Sequence, residues 1–200
     1  MIGQGETSIH PLWLRIMHWV NATAVVLLVM SGWRIYNGTG FMYGFKFPKD
    51  ITLGGWLGGA LQWHFAAMWL LFANAILYLI VNLASKRFGK QFLPLTVRNL
   101  WDDFTAFVRG KLSHADLSHY NAIQKAAYLF AMADIIILIL SGLVLWKSVQ
   151  LPLLREMLGG YEFARRIHFF AMIGIVGFAF VHLVMALLVP KTIKAMIWGR

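Results

Sequence analysis

Cysteine is absent from this chain of 200 residues, which excludes disulfides, thiolate metal sites and iron–sulfur clusters held by the chain itself. Charge is also scarce, because only 13% of the residues are charged, whereas a soluble domain usually has about 25%. Acidic residues number 8 against 18 basic ones, so the net charge is +10. This excess of positive charge suits anionic lipid headgroups. Positive charge is also typical of nucleic-acid-binding proteins, but no other feature of the chain points to nucleic acid.

Hydrophobic residues make up 60% of the chain and are concentrated in four long runs. The runs cover residues 12–36, 61–83, 126–146 and 167–189. Each is long enough to cross a hydrocarbon layer about 30 Å thick as a helix, and the lack of alternation argues against strands. The first run is too long for a signal peptide. We therefore predict an all-α fold, a four-transmembrane-helix bundle that forms one membrane domain over residues 1–200, surrounded by membrane lipid.

Basic residues are unevenly shared between the loops. With the N-terminus in the cytoplasm, 11 of the 18 lie on the inner side and 7 on the outer side, which predicts that both termini are cytoplasmic. The longest polar stretch, Ala84 to Asn121, is then an inner loop. Within it, Thr96–Val108 has its apolar residues near one face, with Asp102 and Asp103 away from that face. This pattern predicts a short amphipathic helix on the membrane surface, with an irregular connector as the alternative.

Two histidines, His168 and His182, lie on the last apolar run with thirteen uncharged residues between them. Fourteen residues at about 100° each return a helix to within about 40° of its starting direction and advance it by about 21 Å. The two imidazoles therefore share one helix face but lie too far apart to bind a single metal ion. They predict two separate sites, one near each membrane surface.

Each of these sites needs a partner histidine at the same depth. His18 lies near the inner end of the first run, and His182 lies near the inner end of the last. His64 and His168 each lie near the start of a run that enters from the outer side. The alternating directions of the helices therefore pair His18 with His182 and His64 with His168.

An imidazole inside a membrane is costly and points to a function, although interhelical hydrogen bonding by neutral imidazole is an alternative. Zinc usually requires three or four protein ligands, whereas two imidazoles suit a planar macrocycle that supplies its own equatorial nitrogens. Residues that offer packing surface or room for such a ring flank the histidines: Trp19, Phe65, Phe169, Phe170, Gly174 and Gly177. We predict two b haems with two axial histidines each. Such iron has no open position, so we predict electron transfer across the bilayer and no catalytic residue.

Four segments of the chain resemble the bacterial cytochrome b561-type family of di-haem membrane cytochromes. They are RIMHW at 15–19, the opening of the second run at His64, HYNAIQK at 119–125, and RRIHFF through VHLVMALLVP between 165 and 190. The resemblance implies that His18, His64, His168 and His182 ligate two b haems, and that the protein lies in the bacterial cytoplasmic (inner) membrane. The family includes the membrane subunits of nickel–iron hydrogenases and formate dehydrogenases.

The resemblance also implies a quinone site beside the inner haem. In formate dehydrogenase-type members, positions matching Asn121, Gln124 and His182 line that site. Asn121 and Gln124 lie three residues apart on one face where the third run begins, and each offers an amide donor to a quinone carbonyl. The alternative is that Asn121 caps the helix and Gln124 completes a capping box.

Several charged residues lie close to the candidate ligands. Arg15 could pair with the propionates of the inner haem, and Arg165 and Arg166 with those of the outer one. All three equally fit interfacial anchors that extend toward lipid headgroups. Asp134 lies deep in the third run, where a carboxylate is costly, and either a hydrogen-bonded role or a proton path fits it.

Two pairs of segments resemble each other within the chain. They are HFAAM at 64–68 with HFFAM at 168–172, each after a Gly-Gly pair, and VMSGWRIY at 29–36 with ILSGLVLW at 139–146. A duplicated two-helix hairpin explains this likeness, and chance similarity between membrane sequences is the alternative. In the duplication, Tyr78 takes the place of His182.

Three functions fit these features. The first is an electron-transfer subunit that passes electrons from a periplasmic redox enzyme, of molybdoenzyme or hydrogenase type, to quinone. The second is a stand-alone oxidase of a small diffusible donor such as superoxide, again reducing quinone. The third is a non-redox membrane anchor or metal carrier. The resemblance at the quinone segment and the outer loop at 37–62 favour the first, and a carrier would need more ligands per site.

Overall fold

The regular structure of this protein is helical wherever the chain is described. The computed structural model describes residues 10–85, 96–108 and 122–199. Its helices are α1 Leu12–Thr39, α2 Leu57–Ala84, α3 Val97–Val108, α4 Ala122–Trp146, α5 Pro152–Met157, α6 Tyr161–Leu188 and α7 Pro190–Trp198, with a 3-10 turn at Lys49–Ile51. No strand occurs in these ranges, and the predicted all-α class is confirmed.

Four of the helices, α1, α2, α4 and α6, are long and apolar enough to cross a membrane. The shortest of them, with 25 residues, extends about 37 Å at about 1.5 Å per residue, which exceeds a hydrocarbon layer of about 30 Å. The four predicted spans are confirmed, although α2, α4 and α6 begin four to six residues before their apolar runs. Helical backbone hydrogen bonding includes the polar and small residues that precede each of these apolar runs. Hydropathy alone therefore underestimates the helix lengths.

The chain divides into two compact units, each built on one helical hairpin. The first unit contains α1 and α2 with residues 194–200, and the second, residues 88–193, contains α4 packed on α6. We call the end of a hairpin that carries its connecting loop the connected end, and the other the open end. In the predicted topology the connected ends face outward. The single membrane domain expected for residues 1–200 stays a prediction.

The two hairpins share several buried positions at a constant spacing along the chain. His64 and His168 are each the eighth residue of their helix, and buried small or aliphatic residues recur 104 positions apart on those helices. The recurring pairs are Ala60 with Ala164, Ala67 with Ala171, and Leu71 with Ile175. On the other helix of each hairpin, α1 or α4, Ser31 and Ser141 are both fully buried. This common pattern of burial supports the duplicated hairpin.

Glycine pairs shape both connected ends. Gly54 and Gly159 have φ angles of 106° and 75°, in the left-handed region that favours glycine. A Cβ on Gly54 would collide with the backbone of Ala60 at the start of α2. The chain therefore enters α2 through a turn that another residue would strain.

The connecting loop of the first hairpin is held against α1. Asn37 Nδ2 donates to the Phe47 carbonyl at 2.9 Å, and the Phe47 N–H donates to Asn37 Oδ1 at 2.8 Å. Phe47 also stacks on Trp33 with ring centroids 4.9 Å apart. The Met42 N–H donates to the hydroxyl of the buried Tyr36 at 3.2 Å. These contacts fix the loop at the end of the hairpin where His64 lies.

The amphipathic helix predicted in the inner loop is confirmed as α3. The Asn99 N–H donates to Thr96 Oγ1 at 3.2 Å, so Thr96 caps the start of this helix. Asp103 Oδ2 accepts from the Ala122 N–H at 2.5 Å. That N–H belongs to the first turn of α4, which cannot satisfy its own backbone donors. Asp103 therefore ties α3 to the start of a spanning helix.

Candidate haem site

The four candidate ligand histidines lie at both ends of both hairpins. His64 on α2 and His168 on α6 lie toward the connected ends, whereas His18 on α1 and His182 on α6 lie toward the open ends. All four residues are half-buried. Each hairpin therefore offers one imidazole at each of its ends, and the depths predicted within each hairpin agree with this placement.

The imidazole of His168 is held by α4 through its Nδ1 atom. Nδ1 lies 3.0 Å from Ser141 Oγ and 3.1 Å from the Leu138 carbonyl oxygen. A carbonyl can only accept, so Nδ1 carries the hydrogen in this contact. The lone pair of the neutral ring is then on Nε2, which is the atom left for a metal.

His64 is held by α1 in the same way. Its Nδ1 lies 3.0 Å from Ser31 Oγ, and the Ser31 hydroxyl donates its single hydrogen to the Leu27 carbonyl at 2.6 Å. Because that hydrogen is used, the serine accepts from the Nδ1–H of His64. In Ser141 the hydroxyl donates to the Ile137 carbonyl, also at 2.6 Å. Both hairpins therefore present Nε2 through one repeated contact.

A glycine follows each of these serines and lies against the imidazole. A Cβ on Gly142 would lie 3.2 Å from Cε1 of His168, tighter than ordinary van der Waals contact. The equivalent distance from Gly32 to Cε1 of His64 would be 3.5 Å. The Ser-Gly pair therefore combines a hydrogen-bond partner with space for the ring.

Aromatic rings surround the histidines of the open ends. His182 stacks on Phe178, with centroids 5.6 Å apart and planes at 15°, and Tyr128 approaches it edge-on at 6.2 Å. His18 makes an edge contact with Trp19 at 5.2 Å. Trp19 Nε1 in turn donates to the Met196 carbonyl at 3.4 Å. Ring contacts thus help to hold the open-end imidazoles, and serine contacts help to hold the connected-end ones.

The open ends also differ between the two copies of the hairpin. His18 and Tyr128 are each the seventh residue of their helix, and Tyr78 and His182 each lie six residues before the end of theirs. Each hairpin therefore has one histidine and one tyrosine at its open end, but on opposite helices. The duplication predicted Tyr78 in the place of His182, and the helix bounds agree.

The three arginines proposed for the propionates differ in their surroundings. Arg165 Nη2 forms an ion pair with Glu162 Oε2 at 2.7 Å, one turn away on α6. Arg166 is exposed. Arg15 is half-buried, and its Nε has no hydrogen-bond partner among the described residues.

The quinone candidates lie at the start of α4. Gln124 is exposed in the first turn of that helix, and Asn121 lies outside the described residues. The Ala122 N–H already has its acceptor in Asp103. Asp103 of α3 therefore satisfies this one backbone donor in the first turn of α4.

Asp134 is buried on α4 and faces α6. A Cβ on Gly174 would lie 3.1 Å from Asp134 Oδ2, and that oxygen has no hydrogen-bond donor in the described ranges. The glycine expected to admit a macrocycle at this position instead gives its space to a carboxyl group. Gly177 has no atom within 4 Å of the position of an added Cβ.

Two polar contacts could not be identified from the sequence alone. The Ser-Gly pairs were visible as repeated letters, but their contact with histidine depends on which helix faces meet. Buried Asn74 donates through Nδ2 to the Met17 carbonyl at 2.9 Å and to Asn21 Oδ1 at 2.6 Å. An isolated Asn within an apolar run was the available signal. This contact fixes α2 against α1 beside His18.

No group of three or more His, Cys, Asp or Glu side chains that could hold a metal ion occurs in the part of the chain that the structure describes. A zinc site built from three or four protein ligands is therefore not formed there. Isolated imidazoles that present Nε2 fit a metal whose other ligands come with it, as in haem.

A family model described as prokaryotic cytochrome b561 matches residues 9–199. The chain belongs to the prokaryotic cytochrome b561 family. Membership confirms the resemblance drawn from the four sequence segments, and it implies a b-type haem. The connected-end histidines fit that cofactor, because the imidazoles of His64 and His168 are held through Nδ1 and are suitable axial ligands.

Two relatives within the prokaryotic cytochrome b561 family are named as oxidoreductase subunits. The chain is 62% identical over 193 residues, 96% of its length and 97% of the relative's, to a protein of Azospira oryzae named putative protein-methionine-sulfoxide reductase subunit YedZ1. It is 24% identical over 190 residues, 92% of its length and 81% of the relative's, to the cytochrome b556(fdo) subunit of formate dehydrogenase from Escherichia coli K12. No solved structure was found to match the chain. These relatives are consistent with a redox enzyme as the partner.

Proposed function

We propose that this cytochrome b561-family protein binds two b haems and carries electrons between the quinone pool and a periplasmic redox enzyme. The observation that carries the proposal is the His–Ser contact found in each hairpin, which holds Nδ1 and leaves Nε2 for iron. Bound b haem supplies one-electron exchange between ferric and ferrous iron. The task of the protein is to hold and orient that group, and to exclude a further iron ligand by providing two imidazoles.

Each haem is proposed to take one histidine from each hairpin. His64 contacts Ser31, which lies thirteen residues from His18 on α1, or about 20 Å along the helix. His168 and His182 are separated by about 21 Å on α6. One hairpin therefore cannot supply both ligands of one iron. Pairing the two open-end histidines gives His18 with His182, and pairing the two connected-end histidines gives His64 with His168.

Arginines near these histidines are proposed to neutralise the propionates. Arg15 suits the inner haem because its half-buried guanidinium has a nitrogen without a partner among the residues described. Arg166 suits the outer haem, and Arg165 would exchange Glu162 for a propionate. An arginine can bind a carboxylate through two nitrogens at once.

The quinone site is proposed to lie at the open end of the second hairpin. Its chemistry moves two electrons and two protons, so it must adjoin both an electron carrier and water. Gln124 is exposed at the start of α4, at the same end of the hairpin as His182. The amides of Asn121 and Gln124 are therefore proposed to bind the quinone oxygens.

The relative that is 62% identical to this chain suggests the partner and the direction of electron flow. Its name describes a subunit of a protein-methionine-sulfoxide reductase, and a reductase consumes electrons. Quinol oxidation would release two electrons and two protons. Reduction of methionine sulfoxide to methionine and water takes up two of each, at the partner. This direction is the reverse of the one expected from the sequence, which runs from the partner to quinone.

The formate dehydrogenase relative supports a second candidate function. In that case the partner oxidises its substrate and the electrons pass through this protein to quinone. The four histidines and the amides would have the same roles, and the direction alone would differ. Identity of 24% against 62% makes this the weaker candidate.

Rapid mixing in nanodiscs tests the proposal. The protein is purified from native membranes with its partner, reduced with a quinol analogue, and then mixed with a peptide that contains methionine sulfoxide. Quinol should reduce the haems and the peptide should reoxidise them. Asn121→Ala and Gln124→Ala should slow the first phase at least tenfold and leave the second unchanged, whereas Gln62→Ala, at the connected end, should change neither.

Three results would contradict parts of this account. Unchanged reduction by quinol in both amide variants would move the quinone site elsewhere. Haems that the partner's substrate reduces and quinone reoxidises would favour the second candidate. A protein that purifies alone and is reduced by superoxide would be the stand-alone oxidase.

A further inference from the structure

We propose that Ser31 and Ser141 are positioning residues that set both the tautomer of the outer-haem histidines and the electron-donating strength of those ligands. The inference rests on the proposed function, because it concerns how His64 and His168 bind iron. It adds that each ligand has a dedicated partner, built into the facing helix of its own hairpin.

The hydroxyl groups of the two serines are already committed as donors. Each donates to a carbonyl of its own helix at 2.6 Å, the Leu27 carbonyl for Ser31 and the Ile137 carbonyl for Ser141. A serine hydroxyl has one hydrogen, so the oxygen faces the imidazole as an acceptor. A serine hydroxyl can in general donate or accept a hydrogen bond. Here its donation to the backbone carbonyl leaves it to accept from the Nδ1–H of the histidine.

Burial makes this arrangement costly to lose. Both serines are fully buried, and they lie within membrane-spanning helices. The hydrocarbon region of a membrane offers no water to replace a missing acceptor, so an unsatisfied polar group is costly there. His168 would keep the Leu138 carbonyl at 3.1 Å as an acceptor, so loss of the serine should free the ring of His64 to turn more than that of His168. The serines therefore restrict the direction in which Nε2 points.

The same contact also tunes the ligand. A hydrogen bond from Nδ1–H raises the basicity of the imidazole, and a more basic ligand stabilises ferric iron over ferrous iron. Loss of such a partner typically changes metal affinity by tenfold or more. Because the contact occurs at both proposed ligands of one haem, it should lower the midpoint potential of that haem relative to the other.

Potentiometric titration of the purified holoprotein tests this role. Ser31→Ala and Ser141→Ala should each raise the midpoint potential of one haem by up to about 59 mV. For a one-electron couple, this shift corresponds to a tenfold change in the ferric-to-ferrous ratio. Ser31→Thr and Ser141→Thr keep a hydroxyl that can bond to the same turn, and they should restore the original value. Ser85→Ala is the control, because the Ser85 hydroxyl, just past the end of α2, donates to the Asn82 carbonyl and lies 21 residues along the chain from His64.

Each outcome of this titration has a separate meaning. Unchanged potentials and electron paramagnetic resonance spectra in both alanine variants would overturn the inference, as would threonine variants that shift as far as the alanine variants. Loss of one haem with alanine and its retention with threonine would support the role. If the two serines shifted different haems, their role would stand and the His64–His168 pair would fail. A preparation without b haem would overturn the proposed function itself.

Discussion

At the scale of single residues, Asp134 and Gly174 show how one side chain determines what its neighbour can be. The carboxyl group of Asp134 is buried between the two helices of its hairpin and occupies the space beside a glycine. The first hairpin has Ala24 and Leu70 at the equivalent positions of the repeat. Gly174 is therefore explained by the carboxyl group that it accommodates.

Gly174→Ala should destabilise the second hairpin. The added Cβ would lie 3.1 Å from Asp134 Oδ2, and overpacking of this kind typically costs about 1–3 kcal/mol. Thermal unfolding in detergent should show a lower midpoint temperature, and adding Asp134→Ala should restore it. Gly177→Ala is the control, since nothing lies within 4 Å of the Cβ there. Equal midpoint temperatures for Gly174→Ala and Gly177→Ala would show that the contact with Asp134 is unimportant.

The candidate ligand histidines could be chosen from the sequence, and their hydrogen-bond partners could not. A histidine in an apolar run is conspicuous because it is costly there. Ser31 and Ser141 are ordinary residues in spanning helices, which tolerate small polar side chains at helix contacts. Only the rotation of α1 against α2, and of α4 against α6, shows that each serine faces a histidine.

At the scale of elements, α3 is an amphipathic helix that also contacts the start of a spanning helix. Periodicity predicted the helix itself, because its apolar and acidic residues fall on different faces. The contact from Asp103 to the Ala122 N–H connects residues nineteen apart and could not be read from periodicity. The short helices α5 and α7 were also missed, since runs of six and nine residues fall below any membrane signal.

Asp103→Ala should loosen the start of α4. The variant removes an acceptor and a negative charge from a helix N-terminus, which typically costs about 1 kcal/mol. Hydrogen exchange of the backbone N–H groups at 122–125 should become faster. Asp102→Ala, an exposed neighbour, should leave that exchange unchanged. If both variants exchanged alike, the contact would contribute nothing to the stability of the helix end.

At the scale of the whole molecule, the two hairpins resemble each other most at their connected ends, as a duplication would predict. Their connected ends keep the same Ser-Gly pair, the same histidine position and the same buried small residues. Their open ends exchange histidine and tyrosine between helices, with His18 and Tyr78 in one copy and Tyr128 and His182 in the other. Repeated letters suggested the duplication, and the recurring burial and contacts of the hairpins support it.

This divergence has a consequence for the two proposed haems. The outer one would take equivalent ligands with equivalent serine partners. The inner one would take His18 beside Trp19 and His182 beside Phe178, which are different surroundings. The two haems should therefore differ in midpoint potential.

Haem content of the purified protein and of four histidine variants tests the central claim most directly. The wild-type chain should hold two b haems, resolved as two steps in a potentiometric titration. His18→Ala and His182→Ala should each remove one and the same step, and His64→Ala and His168→Ala should each remove the other. Loss of the same step in His64→Ala and His182→Ala would contradict the pairing, and a protein that binds zinc and no haem would contradict the account as a whole.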